Sequence, residues 1–195
     1  MEKLRLKAIL AIVIVLVVMF SLLEADVEAK NVKAETPPKT KWTRTYGGIG
    51  YEEATCVVQT SDKGYAIAGY TSSYGAGWSD FWLVKTDSDG NKLWDKTYGG
   101  SKIDRAYCVV QTSDGGYALA GYTESYGAGS DDFWLVKTDS DGNKLWDKAY
   151  GGTGSDWASC VVQTSDGGYA LAGYAYSYGA GNNDFWLVRT HKDKN

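Results

Sequence analysis

The sequence has few of the residues that mark nucleic-acid binding or metal chemistry. Among 195 residues there are two prolines, one histidine and three cysteines, and the formal net charge is −4. Because no basic patch stands out, nucleic acid is not expected as a partner. A metal site built from the cysteines would lack imidazole ligands, since His191 is the single histidine. These residues give no reason to expect a cofactor.

Glycine and aromatic residues are abundant instead. The chain has 24 glycines, 15 tyrosines and 8 tryptophans. Aromatic side chains favour strands, and glycine favours tight turns. Together with a length that suits one domain, this composition predicts turn-rich, all-β structure.

The N-terminus has the pattern of an export signal. Lys3, Arg5 and Lys7 precede an apolar run from Ala8 to Leu23. That run is shorter than the roughly 20 residues that span a bilayer, and it is closer to the apolar core of a signal peptide, which is about 7–15 residues. Residues 1–29 are therefore interpreted as a signal peptide or, alternatively, as an uncleaved membrane anchor.

Export sets the expected location of the rest of the chain. Cleavage would give a mature chain from about Lys30, and residues 30–40 are polar with a proline pair, which predicts a linker. In either case we expect residues 41–195 outside the cell, secreted or at the cell surface. The membrane is then a partner only through an uncleaved N-terminal segment.

An internal repeat of 52 residues dominates the remaining sequence, and such a period is typical of solenoids, propellers and other repeat arrays. The repeat is nearly identical in its three copies. The equivalent positions include Cys56, Cys108 and Cys160; Trp42, Trp94 and Trp146; and Asp80, Asp132 and Asp184.

The middle repeat predicts four strands, each bounded by turn residues. Strand A covers about Ala106–Thr112, strand B Tyr117–Thr123, strand C Asp132–Thr138 and strand D Lys144–Tyr150. An Asp-Gly pair lies between strands C and D. It is a strong hairpin signal, because the turn requires positive φ.

The two faces of the strands distinguish between folds with three such repeats. In strand C, Phe133 and Leu135 alternate with Trp134 and Val136, so both faces are apolar. A sheet that is apolar on both faces is covered on both sides. Stacked β-propeller blades meet this requirement. A β-trefoil or β-prism remains the alternative.

The phase of the repeat predicts an open half-propeller. Residues 41–48 match strand D of the later repeats, and they precede blade 1 at 49–100, blade 2 at 101–152 and blade 3 at 153–195, which lacks its last strand. Known propellers have about four to eight blades. We therefore expect a homodimer that closes six blades, in which residues 41–48 complete the last blade of the partner.

The motif QTSDGGYALAGYTESYGAGSDDFWLVKTDSDGNKLW, residues 111–146, resembles the propeller-type repeats of exported archaeal and bacterial surface proteins. The similarity extends from about Lys41 to the C-terminus. It implies the fold and an extracellular setting. Members of that family are mostly uncharacterised, so the resemblance implies no particular chemistry.

The turn between strands C and D resembles the start of a calcium-binding loop. Three side chains with oxygen atoms at alternate positions can ligate a hard cation, which makes Ca²⁺ the candidate ion. The glutamate of a complete EF-hand loop is missing, and the alternative is a hairpin whose aspartate caps its own turn. The candidate ligands are Asp87, Asp89, Asn91, Asp139, Asp141 and Asn143.

The loops that follow strands B and D open on one face of a propeller and form the predicted binding site. Carboxylates beside tyrosines and glycines suit a sugar hydroxyl, a peptide or Ca²⁺. The alternative is that each aspartate caps a neighbouring loop and each tyrosine packs on a blade edge. The candidate residues are Glu52, Asp104 and Asp156; Tyr74, Tyr126 and Tyr178; and Asp80, Asp132 and Asp184.

Three functions are compatible with this pattern. The favoured one is an extracellular, non-catalytic binding or adhesion module, with a glycan or surface polymer as ligand. The others are a structural repeat protein that forms assemblies and a carbohydrate-active enzyme. Acids repeated three times, with no unique residue among them, do not resemble the asymmetric carboxylate pair of a glycosidase, and no catalytic residue is predicted.

Overall fold

The computed structural model describes residues 36–192, and their secondary structure consists of strands joined by turns. The predicted signal peptide lies outside the described residues. Residues 36–41 are exposed and have no regular structure, and a compact unit begins at Trp42. In the described range we find no helix of the length and apolarity that crossing a membrane requires.

Eleven strands follow one another, four in each of the first two repeats and three in the last. In chain order they are β1 Glu52–Gln59, β2 Tyr65–Thr71, β3 Asp80–Thr86, β4 Lys92–Tyr98, β5 Asp104–Gln111, β6 Tyr117–Thr123, β7 Asp132–Thr138, β8 Lys144–Tyr150, β9 Asp156–Gln163, β10 Tyr169–Ala175 and β11 Asp184–Arg189.

Each repeat forms its own antiparallel sheet. The strand orders are β1-β2-β3-β4, β5-β6-β7-β8 and β9-β10-β11. Three separate meander sheets, packed face on face, confirm the prediction of an open, propeller-type array of blades. The trefoil and prism alternatives are wrong, because in those folds the three repeats surround one common core, whereas here the sheets stack in series with a separate core layer at each junction.

Both faces of blade 2 are buried, as the alternation along strand C predicts. Trp134 and Val136 pack against Phe81 and Leu83 of blade 1. On the opposite face, Phe133 and its neighbours pack against blade 3. The core therefore consists of two layers between blades, and each layer combines bulky side chains with the small alanines of strand B.

A β-bulge in strand A allows the blades to bend. In β5 the register against β6 shifts between Ala106 and Cys108. Gly121 lies opposite, where a Cβ atom would collide with the backbone carbonyl of Arg105. Blades 1 and 3 have the same glycine, so the close approach is part of each repeat.

Residues 41–48, predicted as a lone strand D that completes the last blade of a partner, have no regular structure and pair with no strand among the described residues. The segment nevertheless lies against blade 1 as β4 lies against blade 2. The Trp42 and Tyr65 rings are 5.8 Å apart, and the equivalent Trp94 and Tyr117 rings are 5.9 Å apart.

Candidate functional site

The predicted tyrosines of the loop face bind the protein's own backbone. Each hydroxyl donates a hydrogen bond to a glycine carbonyl of the loop before strand A, and each ring packs on a tryptophan of strand C. The rings are 41–48 % exposed. Donors and acceptors are Tyr74 with Gly47, Tyr126 with Gly99 and Tyr178 with Gly151, at 3.1, 3.0 and 2.8 Å.

The carboxylates that open strand A connect two loops. Asp104 accepts hydrogen bonds from Gly100 N at 2.8 Å and from Ser125 Oγ at 2.7 Å, and a third from the Thr123 hydroxyl. Glu52 and Asp156 make corresponding contacts in blades 1 and 3. These side chains hold the loop between blades against the loop between strands B and C.

The carboxylates that open strand C are buried beside those of strand A. Asp132 Oδ2 accepts a hydrogen bond from Ala128 N at 2.8 Å, whereas its Oδ1 is buried and has no hydrogen-bond partner. A Cβ atom at Gly151 would collide with Asp132 Oδ1 and lie 2.8 Å from Asp156 Oδ2. Burial, followed by the negative charge of Asp156, raises the pKa of Asp132.

Blade 1 has the same arrangement. Asp80 accepts a hydrogen bond from Ala76 N at 2.8 Å, and its Oδ1 is likewise unpartnered. Burial is the largest effect on Asp80 and raises its pKa. The hydrogen bond from Ala76 N partly offsets this, and the negative charge of Asp104 raises the pKa by a smaller amount. In blade 3, Asp184 is less buried and accepts from Ala180 N at 2.9 Å.

The candidate calcium turns are occupied by their own hydrogen bonds. Asp87 Oδ1 accepts from Asp89 N at 2.9 Å and from Asn91 N at 2.8 Å, and the Asn91 side-chain amide donates to Oδ2. These bonds, that of the Asn91 side chain first, lower the pKa of Asp87. The turn from Asp139 to Asn143 repeats the arrangement. Residues 36–192 contain no cluster of three or more His, Cys, Asp or Glu that could hold a metal ion.

The cysteines are free thiols, but they lie closer together than an ordinary spacing of stacked sheets predicts. Cys108 Sγ is 3.7 Å from Cys160 Sγ, because strand A of each blade contacts strand A of the next. The sheets converge along this edge, whereas the usual distance between packed sheets is about 10 Å. Burial raises the pKa of the Cys108 thiol to about 12.

We expect all three thiols to react with a maleimide when the protein is denatured without reductant, and Cys108 to react slowest in the native protein. Cys108 is buried, and its raised pKa leaves little of the reactive thiolate at neutral pH. Mass spectrometry of the labelled peptides measures both results. Fewer than three labels per denatured chain would reveal a disulfide.

An aromatic cleft lies on the loop side of the junction between blades 1 and 2, and the sequence interpretation missed it. It is an open cleft of about 250 Å³, slightly smaller than most small-molecule sites. Trp78 is 77 % exposed and Tyr51 is 66 % exposed. The cleft is lined mainly by Tyr51, Tyr70, Trp78, Ser79, Ile103 and Arg105.

Ring stacking and hydrogen bonds position the side chains of the cleft. Tyr51 stacks on Tyr70 at 6.3 Å, and the Arg105 guanidinium lies 4.3 Å from the centre of the Tyr70 ring. Tyr51 N donates to Ser72 Oγ at 2.7 Å, and Ser72 N donates to Tyr51 O at 2.9 Å. The Tyr70 hydroxyl donates to Glu53, and burial, followed by this bond, raises the pKa of Tyr70 to about 12.

Two polar atoms of the lining residues lack a hydrogen-bond partner. Ser79 Oγ and Arg105 Nε are both buried and make no hydrogen bond within the described part of the protein. Unsatisfied buried polar atoms are uncommon in folded proteins, and each one needs an explanation.

The two exposed rings of the cleft occupy positions at which the repeats differ. Trp78 corresponds to Ser130 and Asn182 in blades 2 and 3. Tyr51 corresponds to Ile103 and Ser155. Comparing the copies for differences could therefore have found the cleft, whereas comparing them for identity selected the residues that hold each loop.

Comparisons with known proteins add little to this description. No protein-family model matches the chain, and no curated protein matches it. A solved structure with some similarity is a protein of unknown function from Bacteroides caccae, with 11 % sequence identity and a TM-score of 0.36. The alignment covers 62 % of this chain and 38 % of that one.

The fold defines the protein as an open array of three propeller-type blades. Its candidate site is a cleft between two blades, lined by exposed aromatic rings and an arginine. The class is thus that of a repeat protein with one distinctive, unrepeated surface.

Proposed function

We propose that the protein is a non-catalytic binding module whose aromatic cleft binds a glycan or a related surface polymer. The observation that carries the proposal is the grouping of two exposed rings, Trp78 and Tyr51, with the half-buried Arg105 in one cleft. Exposed aromatic rings cost free energy in water and commonly mark a binding surface. The basic segment followed by an apolar run at the N-terminus supports a location outside the cell.

The chemistry of the cleft suits a sugar better than a purely apolar ligand. Aromatic faces carry partial negative charge and attract the polarised C–H bonds on one face of a sugar ring. The Arg105 guanidinium is only partly buried and has further N–H groups that can donate to a sugar hydroxyl. A single sugar ring that lies on Trp78 shares one cleft with this arginine.

The lining residues favour binding over hydrolysis. Glycoside hydrolysis generally uses two carboxyl groups on either side of the scissile bond. None of the residues that line the cleft is a carboxylate. The carboxylate of Glu53, which lies behind the cleft, already accepts a hydrogen bond from Tyr70.

We expect the substitution Trp78→Ser to reduce glycan binding about 5- to 150-fold. Loss of a base-stacking aromatic ring costs about 1–3 kcal/mol in nucleic-acid sites, and a sugar ring loses a comparable contact. The substitution introduces the residue that blade 2 has at the equivalent position, so the fold should tolerate it. A glycan array with the purified full chain identifies the ligand, and calorimetry measures the change in affinity.

The matched control is Tyr176→Ser. Tyr176 is 54 % exposed and lies on the same loop face, and Ser72 is its counterpart in blade 1. The control variant should bind like the original protein. Equal loss in both variants, or release of sugar from the ligand during the assay, would contradict the proposal.

A further inference from the structure

The outer face of blade 3 exposes a row of large apolar side chains. Phe185 is 103 % exposed and Leu187 is 70 % exposed, and both belong to β11. The equivalent residues of blade 2, Phe133 and Leu135, are completely buried against blade 3. The blade-3 face, as we call this surface, therefore has the composition of an interface between blades and has no cover within the described chain.

The opposite end of the array carries the matching surface, which we call the blade-1 face. It contains a small cavity of about 70 Å³. Its lining residues correspond to those of blade 2 that receive blade 1. They include Tyr46, Ala54, Ile67, Gly69, Trp82 and Val84.

The two internal junctions show how such faces fit together. Phe81 of blade 1 packs edge-on against Trp134 of blade 2, with ring centres 4.7 Å apart. Phe133 of blade 2 packs on Trp186 of blade 3 at 4.5 Å. By the same relation, Phe185 would lie against Trp82 of a further blade 1. Trp82 lines the blade-1 face but is only 6 % exposed in the single chain, so this contact requires that part of the face to open.

The backbone edges match as well. The outer edge of β11 has no partner strand among the described residues. Residues 42–48 are held in the position of a strand D, since Tyr46 donates to Gly90 O at 2.6 Å just as Tyr98 donates to Gly142 O at 2.7 Å. An unpaired edge strand and an unpaired extended segment can pair, because the free backbone N–H and C=O groups of one can hydrogen-bond to those of the other.

We propose that a second copy of this chain covers both faces, so that two chains form a closed ring of six blades. Residues 42–48 of each chain pair with β11 of the other in the register of β3 with β4. In that register Phe81 lies opposite Tyr98, and Phe185 lies opposite Tyr46 of the partner.

The number of blades and the area agree with this assembly. Six is the only multiple of three among the usual four to eight blades. A blade face of four strands measures roughly 350 Å². Four such faces bury about 1,400 Å² in all, which is within the size range of stable interfaces. A head-to-tail contact that closes after two copies has twofold symmetry.

Cysteine cross-linking tests the ring in the full chain. Cys108 and Cys160 are equivalent residues of neighbouring blades, and their Sγ atoms are 3.7 Å apart. In the proposed ring, blade 3 of one copy neighbours blade 1 of the other, which places Cys160 near Cys56 of the other copy. A Cys108→Ser variant retains only the thiols that face each other across the proposed contact. Mild oxidation should join at least half of the chains into a covalent species of two chains, visible on a non-reducing denaturing gel.

The control variants separate this contact from random collision. Phe185→Asp should remove most of the cross-linked species, whereas Leu145→Asp, at a residue of β8 that is 57 % exposed, should leave it unchanged. Light scattering of the unsubstituted protein at micromolar concentration should give a mass of two chains. A monomer, or a ladder of three and more cross-linked chains in place of a dimer, would overturn the closed ring.

Discussion

Replacing Trp134 with alanine is expected to lower the free energy of unfolding by about 3–5 kcal/mol, the usual cost of removing a fully buried tryptophan. Trp134 is 0 % exposed and contacts both Phe81 and Tyr126. Its indole N–H donates to Asp147 at 3.0 Å. For a chain of this size the loss corresponds to a melting temperature lower by roughly 6–20 °C.

Trp186→Ala is the matched control, because Trp186 occupies the same position in blade 3 but is only half-buried. Its substitution should cost clearly less. Chemical denaturation at one fixed protein concentration measures both values. An equal loss in the two variants would show that the layer between blades 1 and 2 is not the main source of stability.

Replacing Asp132 with asparagine is expected to stabilise the protein at neutral pH by about 1–3 kcal/mol, the usual cost of an unsatisfied buried polar group. The side-chain amide introduced by Asp132→Asn would keep its oxygen on Ala128 N and would place its NH₂ donor where Oδ1 now lies unpartnered beside Asp156. Combining this substitution with Asp80→Asn should increase the gain, because the two sites belong to different junctions.

The same substitution should change the pH dependence of stability. The pKa of Asp132 is raised in the folded protein, so the folded state binds the proton more tightly than the unfolded state does. Stability from this group therefore falls as the pH rises from about 4 through the raised folded pKa. In the unsubstituted protein we expect higher stability in mild acid than at neutral pH, and Asp132→Asn should reduce that difference.

Stronger acid acts in the opposite direction. Burial by itself would raise the pKa of Asp114, but hydrogen bonds from Thr112 and Lys137 outweigh this effect and lower the pKa to about 2. Stability from Asp114 is present above the unfolded pKa near 4 and is lost as the pH falls towards 2.

Melting curves between pH 2 and 8 should show both effects, with a maximum in mild acid. Asp141→Asn removes an equal charge from an exposed turn and serves as the control. If Asp132→Asn were no more stable than this control at pH 7, the buried carboxylate of Asp132 would not destabilise the folded protein.

The strands were predictable from sequence because their signals are local. Strands B, C and D of blade 2 have the predicted bounds, since the Asp-Gly turns and the alternation of side chains depend only on neighbouring residues. Strand A begins two residues earlier, at Asp104. Its N–H donates to Ser79 O of blade 1, and such a contact is not visible in the local sequence.

The candidate site was harder to predict for a related reason. Repetition drew the interpretation to tyrosines and aspartates that all three copies share, and in the structure these hold the loops. Trp78 and Arg105 lie 27 residues apart in the sequence, on different blades, and they meet only because blades 1 and 2 stack.

The sequence by itself determined the all-β class, the number of blades and which residues face the layers between them, because these follow from turn chemistry and the period-2 alternation of strands. Only the tertiary structure showed that residues 42–48 lie against blade 1 without pairing to a described strand. It alone also showed the 3.7 Å approach of two thiols and the position of the aromatic cleft. Each of these depends on how one blade meets another. Contacts across a blade junction join residues that are distant in the chain, and local preferences carry no information about them.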